Sequence, residues 1–342
     1  MWRLGPPKEY GIGTTAMKVV PVEGGGVMHV KLENSNMTGS IKDRTAYFLL
    51  WGLMRSGRLR PGETVVESTS GNLGTSLARF GRILGFEVLC VVDDSVPAAK
   101  IDNLRQAGAR VEVVSQGDFP DARSARIARV GVLGQLPGHV WPNQYDNPMG
   151  VLAHSATTAP EIWRELRRAP DVVVVPVGTG GTVCGVGRYA QVRHSGTRII
   201  AVEPLGSTIF GGEAKPYLGV GAGLREPSSL VRRFGGVIDS FAKIPDSAAI
   251  ASAVHWGECG LKLGITAGGA VSVAAQLVSR SSGLTVVALA PDDSGSYAEH
   301  LSGGGQPWPI EAVDIKDADA WRKMFCLPGR FNCARAKVDG YA

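Results

Sequence analysis

The sequence predicts an α/β protein built on parallel β-sheets. Continuous apolar runs rich in valine and isoleucine alternate with stretches of helical periodicity along most of the 342 residues. Runs of this kind are typical of parallel strands buried on both faces, with helices as the crossover connections. The length suffices for two domains of ordinary size or for one large α/β unit. Of these we expect two parallel-sheet α/β domains, for the reason given below.

The predicted elements follow one another as strand–helix pairs, for which right-handed crossovers are expected. The first strand includes the apolar run at 27–30. Later strands are predicted at 64–67, 88–92, 111–114, 172–177, 199–202 and 285–290, and helices at 72–84, 98–106, 122–130, 157–167, 182–192, 247–261 and 269–279.

Three strand–helix units between residues 45 and 149 predict a smaller domain inserted into a larger one. The larger domain then comprises residues 1–44 and 150–315. Residues 316–342 are predicted to form a C-terminal extension, a short helix with a tail. The sequence indicates no role for this extension.

Composition excludes several classes of protein. Apolar residues make up 44% and charged residues 20% of the chain, which is a globular balance and argues against disorder or a membrane protein. The net charge of +5 is spread along the chain, without the basic blocks of nucleic-acid binders, and is consistent with an anionic small substrate. Five cysteines without a Cys-x-x-Cys pair indicate neither a metal site nor a disulfide framework. The first residues contain no apolar signal region, so we expect a cytoplasmic protein.

The segment from Lys31 to Arg44 carries the first chemical signal. It ends an apolar strand, crosses a turn of small residues and brings Lys42 to the start of a helix. The positive end of the helix dipole and the nearby Arg44 both favour a neutral amine on Lys42. A neutral amine is what Schiff-base chemistry requires. The alternative is an ordinary solvated lysine at a helix start.

A second loop, residues 67–75, follows a predicted strand and opens the helix predicted at 72–84. The backbone N–H groups and the hydroxyls of Thr69 and Ser70 are expected to point outward at the helix N-terminus, which makes a carboxylate site. The amide of Asn72 can donate to a phenolic oxygen. Alternatively, Ser-Gly-Asn is simply a helix N-cap.

A third loop, residues 176–182, is rich in glycine and again joins a strand to a helix. Successive N–H groups there form an anion nest, to which Thr179 and Thr182 add hydroxyl donors. The loop lacks the Gly-Lys-Ser/Thr of a P-loop, and the chain lacks a dinucleotide-binding fingerprint. It therefore suits a phosphate monoester that stays bound better than a phosphoryl group that is transferred.

Taken in this order, the three motifs resemble the cysteine synthase (fold type II) family of pyridoxal-phosphate enzymes, over residues 10–300. The resemblance implies a pyridoxal 5'-phosphate cofactor, an active site in the cleft between two domains, and a homodimer. It also implies that Lys42 forms the Schiff base and that Asn72 bonds the cofactor 3′-oxygen. The implied phosphate ligands are Gly178, Thr179, Gly180, Gly181 and Thr182, and the implied substrate ligands are Ser68, Thr69, Ser70, Gly71 and Leu73.

The family places a serine or threonine at the pyridine nitrogen. In this chain, matching the Ser-Gly pair selects Ser294, whereas counting back from Tyr297 selects Asp293. A hydroxyl leaves the ring nitrogen unprotonated, and a carboxylate would protonate it. We favour Ser294. The segment 264–269 resembles the loop on the other side of the cofactor.

Within the family, the chain resembles the branch that joins O-phospho-L-serine to L-glutamate. That reaction gives N-(2-amino-2-carboxyethyl)-L-glutamate and phosphate, on the way to 2,3-diaminopropionate for a siderophore or peptide antibiotic. The residues that carry this resemblance are 67–74, 90–93, 143–145 and 206–211. Gly178 departs from it, because the branch can carry a serine there. The alternative is a cysteine or S-sulfocysteine synthase that uses O-phosphoserine or O-acetylserine.

A phosphate leaving group requires cationic or hydrogen-bonding partners. We expect Arg126 and Tyr145 to supply them, with Gln144 facing the active site. The alternative for Arg126 is a solvated arginine beside Arg123 and Arg129. A non-catalytic interaction protein with this fold is disfavoured, because it would have no use for Lys42, Asn72 and the glycine loop together.

Overall fold

A computed structural model describes residues 4–69, 71–219, 221–281, 283–293, 295 and 313–325. Its strands form two sheets, as the α/β prediction requires. In spatial order, the larger sheet consists of β1 (Met17–Val22), β2 (Gly26–Leu32), β10 (Val286–Ala290), β7 (Val172–Pro176), β8 (Arg198–Pro204), β9 (Ser240–Ile244) and β11 (Ile315–Asp317). The smaller sheet consists of β5 (Arg110–Val114), β4 (Glu87–Asp93), β3 (Thr64–Ser68) and β6 (His139–Val140).

Parallel pairing dominates both sheets. All pairs of the smaller sheet and the five central strands of the larger sheet are parallel, whereas β1 and β11 pair antiparallel at the two edges. The central strands are buried almost throughout, as continuous apolar runs predict. The carboxyl ends of β10 and β7 consequently lie next to each other.

Helices connect these strands. They are α1 (Lys42–Arg55), α2 (Asn72–Leu84), α3 (Ala98–Ala107), α4 (Ala122–Leu133), α5 (Met149–Ala153), α6 (Ala159–Leu166), α7 (Gly181–Val192), α8 (Ser229–Phe234), α9 (Asp246–Glu258), α10 (Ile265–Arg280) and α11 (Asp319–Phe325). A π-helical turn at His154–Thr158 joins α5 to α6. In the part of the chain that the structure describes, no helix is both long and apolar enough to cross a membrane.

The predicted strands and helices are found, with differences at their ends. The helix predicted from residue 269 begins earlier, at Ile265, so the segment 264–269 is mostly helix and not loop. Gly268 serves close packing, because a Cβ there would lie 2.2 Å from the carbonyl oxygen of Ala249 on α9. The strands β1, β6, β9 and β11 were not predicted.

The core of the smaller sheet includes the buried face of α1, with Tyr47, Leu49 and Leu50 packed against Phe80 of α2 and Val88 of β4. The proposed domain boundary between residues 44 and 45 therefore falls inside a continuous helix that begins beside the larger sheet. The division into residues 1–44 with 150–315, and 45–149, stays a prediction.

Candidate active site

Lys42 is the first residue of α1 and lies at the carboxyl end of β10. The preceding residue, Ile41, donates its N–H to the carbonyl oxygen of Pro291 at 2.8 Å, which fixes the start of the helix to the strand end. Burial lowers the pKa of the Lys42 amine, and the nearby carboxylate of Asp292 partly opposes this. The lysine is therefore closer to the neutral form than a solvated one, as Schiff-base chemistry requires.

Arg44 does not lower the pKa of Lys42, contrary to the sequence-based expectation. Its buried guanidinium donates to Glu33 (Nε to Oε2, 2.6 Å) and to Glu161 (Nη1 to Oε1, 2.7 Å). Lys31, on β2, contacts Glu161 at 3.3 Å and also bonds Glu165. The positive charge of Arg44 is thus compensated by carboxylates, and Arg44 anchors the first turn of α1 to the end of β2 and to α6.

The loop before α2 presents open donors. Gly71 is the N-cap of α2 and has no side chain with which to cap the helix, and Ser70, the hydroxyl residue of the alternative N-cap interpretation, lies outside the described residues. The N–H groups of Asn72 and Leu73 accordingly have no acceptor in the described chain. The N–H of Thr69, in contrast, is used by the carbonyl oxygen of Val91 at 3.2 Å. A carboxylate bound here would meet the first turn of the helix and the threonine hydroxyl.

The glycine loop before α7 forms a tight cradle. A Cβ on Gly178 would lie 2.5 Å from the carbonyl oxygen of Gly221, and one on Gly180 would lie 2.3 Å from Cγ2 of Val231. Gly180 also has φ +90°, a conformation that favours glycine. The N–H groups of residues 178–182 bond to no described acceptor. Helix α7 adds the positive end of its dipole, so the cradle is suited to an anion.

Two adjoining cavities, of about 280 Å³ and 40 Å³, bring these loops together. Both are lined by Lys42, Asn72, Gly178 and Thr179. The larger cavity adds Ser68, Thr69, Gly71, Leu73, Arg126, Gln144 and Tyr145, and the smaller adds Gly180, Gly181 and Thr182. Every predicted site residue that the structure describes thus lines one of them. Ser70 and Ser294 lie outside the described residues.

Asp292 is the carboxylate of its segment that reaches the smaller cavity. It is 6% exposed, and its Oδ2 accepts from Nδ2 of Asn72 at 2.9 Å. Asp293 does not line either cavity, and its Oδ1 accepts from the N–H of Gly295 at 2.9 Å. Asp292 is therefore a third candidate for the pyridine nitrogen, beside Ser294 and Asp293. Sequence comparison missed it because neither way of aligning the segment selects it.

Gln144 is positioned by a buried carboxylate, that of Glu67 at the end of β3, whereas the N–H of Tyr145 bonds to Oδ1 of Asn143 at 3.2 Å. Glu67 accepts from the N–H of Gln144 (3.1 Å), from Nε1 of Trp141 (3.1 Å) and from the N–H of Ser68 (2.9 Å). Burial raises the pKa of Glu67 to about 7, although these three donors act in the opposite sense. Gln144 also donates from Nε2 to the carbonyl oxygen of Ser68 at 3.1 Å.

Arg126 is 9% exposed, so the alternative of a solvated arginine is wrong. Its Nε lies 3.2 Å from Oδ2 of Asp93, at the end of β4. Arg126 therefore lines the cavity with a charge that the carboxylate of Asp93 partly balances.

Other residues of the larger cavity were not predicted. They are Thr75, Lys100, Asn103, Leu104, Arg123, Tyr217, Gly219, Gly221, Ala222, Gly223 and Leu224. The glycine-rich run at 219–223 was a readable signal of backbone near a ligand. Lys100 and Arg123 gave none, because their orientation depends on how α3 and α4 pack on the smaller sheet.

These features fit pyridoxal phosphate. The glycine cradle would hold its phosphate, the buried neutral amine of Lys42 would bind its aldehyde carbon, and the amide of Asn72 would donate to the ring oxygen. Both cavities reach Lys42, so a ring in the smaller cavity and a substrate in the larger one would meet at the same amine.

Comparisons with known proteins agree. Residues 9–292 match the family model described as pyridoxal-phosphate dependent enzyme. The N-(2-amino-2-carboxyethyl)-L-glutamate synthase of Ralstonia nicotianae is 35% identical, over 79% of this chain and 81% of its own. A cysteine synthase of Staphylococcus aureus is 32% identical, over 79% and 87%. The hydrogen sulfide-producing enzyme of Fusobacterium nucleatum superposes with a TM-score of 0.81 at 27% identity, over 90% and 97%.

The fold and site define a fold type II pyridoxal-phosphate enzyme. The chain belongs to the pyridoxal-phosphate dependent enzyme family and, within it, to the cysteine synthase family of β-replacement transferases.

Proposed function

We propose that this enzyme joins O-phospho-L-serine and L-glutamate to give N-(2-amino-2-carboxyethyl)-L-glutamate and phosphate, a step towards 2,3-diaminopropionate for a siderophore or peptide antibiotic. One observation carries the proposal. Besides Lys42, three basic residues, Lys100, Arg123 and Arg126, line the larger cavity, and none of its described lining residues is a carboxylate. Two multiply charged anionic substrates suit such a cavity, whereas acetate and sulfide need less positive charge. The similarity to the Ralstonia synthase supports the same choice.

Each part of the site then has a defined task. Pyridoxal phosphate, when bound, supplies the electron sink for the donor amino acid. The open N–H groups at the start of α2 bind the donor α-carboxylate, and Arg126 and Tyr145 bind its phosphate. Nζ of Lys42, as a neutral amine, removes the Cα proton of the donor and later returns it.

A cysteine or S-sulfocysteine synthase is the second candidate, because the Staphylococcus cysteine synthase is nearly as similar. The two functions share the donor half-reaction and differ in the acceptor. The purified enzyme should therefore be given O-phosphoserine or O-acetylserine with glutamate, sulfide or thiosulfate at equal concentration, and the products measured by mass spectrometry. We expect the glutamate adduct from O-phosphoserine to form with the highest kcat/KM. Faster formation of cysteine or S-sulfocysteine would overturn the proposal.

We also propose a cytoplasmic homodimer, on the family resemblance. Light scattering at micromolar concentration should give twice the chain mass, and a monomer would contradict this.

A further inference from the structure

Two of the four basic residues in the larger cavity have no assigned task. Lys100 lies on α3 and Arg123 on α4, and both line the cavity that contains Lys42. Asn103, one turn after Lys100 on α3, lines the same wall. These residues lie on helices that pack on the smaller sheet, outside the three sequence motifs.

Arg123 differs from Arg126 and Lys42 in what surrounds it. Arg126 is buried beside Asp93, and Lys42 is reserved for the Schiff base. Arg123 has no carboxylate or hydrogen-bond partner among the residues that the structure describes. Burial lowers the pKa of Lys100, partly opposed by the charge of Asp292, so its amine is partly withdrawn from water. A bound anion would compensate the charge of Arg123, and Lys100 lines the same cavity.

The proposed function already assigns binding sites to the other anionic groups of the reaction. The glycine cradle suits the cofactor phosphate, the start of α2 suits the donor carboxylate, and Arg126 with Tyr145 suits the donor phosphate. The remaining anionic groups are the carboxylates of the acceptor.

We propose that Lys100 and Arg123 form an anion subsite that binds the carboxylates of a dicarboxylic amino-acid acceptor and directs its amine towards Lys42. This inference rests on the proposed function and extends it to the acceptor. A guanidinium and an ammonium on separate helices can bind two carboxylates, whereas sulfide makes no use of them.

The test uses Lys100→Met, Arg123→Met and the double variant, each as purified holoenzyme. Arg105→Met on α3 and Arg129→Met on α4 are matched controls, since both arginines are exposed and lie outside the cavity. Calorimetry with glutarate, a dicarboxylate without an amine, measures the subsite without turnover. We expect the glutarate Kd to rise about ten-fold or more in each single variant and to stay unchanged in the controls.

Measuring the two half-reactions separately then shows whether the pair binds the carboxylates of the acceptor or the phosphate of the donor. The donor step is followed by the spectral change that O-phosphoserine produces in the bound cofactor, and the acceptor step by its reversal with glutamate or sulfide. We expect both variants to slow reversal by glutamate about ten-fold or more, with the donor step and reversal by sulfide within two-fold of the wild type. Slowing confined to the O-phosphoserine step would assign the pair to the donor phosphate and overturn the inference.

Unchanged glutarate binding in the double variant would also overturn it. If the wild type instead fails to react with either serine ester, the proposed function fails, and glutarate binding still tests the subsite by itself.

Discussion

Asn72 donates from its side-chain amide to the carboxylate of Asp292 at 2.9 Å, and this bond joins the start of α2 to the segment that follows β10. The two residues are 220 positions apart in the chain and follow strands of different sheets, β3 and β10. Nδ2 carries two hydrogens, so the amide can bond Asp292 and a cofactor oxygen at once. The carboxylate also acts on Lys42, whose pKa it raises against the effect of burial.

Asp292→Asn should therefore lower the pKa of Lys42, because the variant removes a negative charge that favours the ammonium form. Competitive acetylation of the apoprotein, followed by mass spectrometry across pH, measures the midpoint for Lys42 directly. We expect this midpoint to move to lower pH in the variant. Asp293→Asn is the control and should leave it in place, since Asp293 does not line the cavities. Equal behaviour of the two variants would contradict the assignment.

Tyr145→Phe tests the donor phosphate. Loss of one bond to a charged group costs about 1.5–3 kcal/mol, so formation of the donor adduct from O-phosphoserine should slow about ten-fold or more. The rate with O-acetylserine should change much less. Tyr189→Phe, which alters a tyrosine packed on Trp163 and outside the cavity, is the matched control. Stopped-flow absorbance with both esters measures the ratio, and equal losses with the two esters would exclude a phosphate contact.

Arg126→Met tests the same contact less specifically, because it also affects folding. It leaves the buried carboxylate of Asp93 without its ion-pair partner, which should also lower the free energy of unfolding.

Local signals in the sequence were enough to predict the parts of the site that lie at strand ends. Helix α2 was predicted with its observed bounds, because Gly71 precedes it and Gly85, with φ +77°, ends it. Lys42 and the glycine cradle were placed by the same kind of signal, in which a small-residue loop follows an apolar strand.

The rest of the site depends on tertiary packing, which a single sequence does not reveal. Lys100 and Arg123 resemble solvated helix residues until α3 and α4 are placed on the smaller sheet. The choice among Asp292, Asp293 and Ser294 depends on backbone direction after β10. Residue type alone also did not reveal that Arg44 would be neutralised by Glu33 and Glu161.

Glu67 should make the stability of the protein depend on pH. Its pKa is raised by burial from 4.5 to about 7, so the folded state holds a proton that the unfolded state releases between these values. The free energy of unfolding should fall as pH rises from about 4.5 to about 7, by on the order of 3 kcal/mol from this group. Glu67→Gln should flatten that part of the profile. Urea unfolding at several pH values measures it.

The control for this profile is Glu87→Gln, which alters an exposed carboxylate paired with Arg110. It should keep the wild-type slope. A Glu67→Gln profile that also keeps the wild-type slope would show that Glu67 is ionised in the folded protein throughout this range.

Gly178→Ala should weaken binding of pyridoxal phosphate. Its Cβ would lie 2.5 Å from the carbonyl oxygen of Gly221, a backbone atom that cannot rotate away, so the cradle has to shift. Overpacking of this kind costs about 1–3 kcal/mol, which corresponds to an increase in Kd of about five-fold to a hundred-fold. Absorbance titration of the apoprotein with pyridoxal phosphate measures the Kd. Gly257→Ala on α9 is the control, because nothing lies within 4 Å of its added Cβ. The control should bind the cofactor as the wild type does, and wild-type affinity in Gly178→Ala would show that the cradle is looser than its contacts indicate.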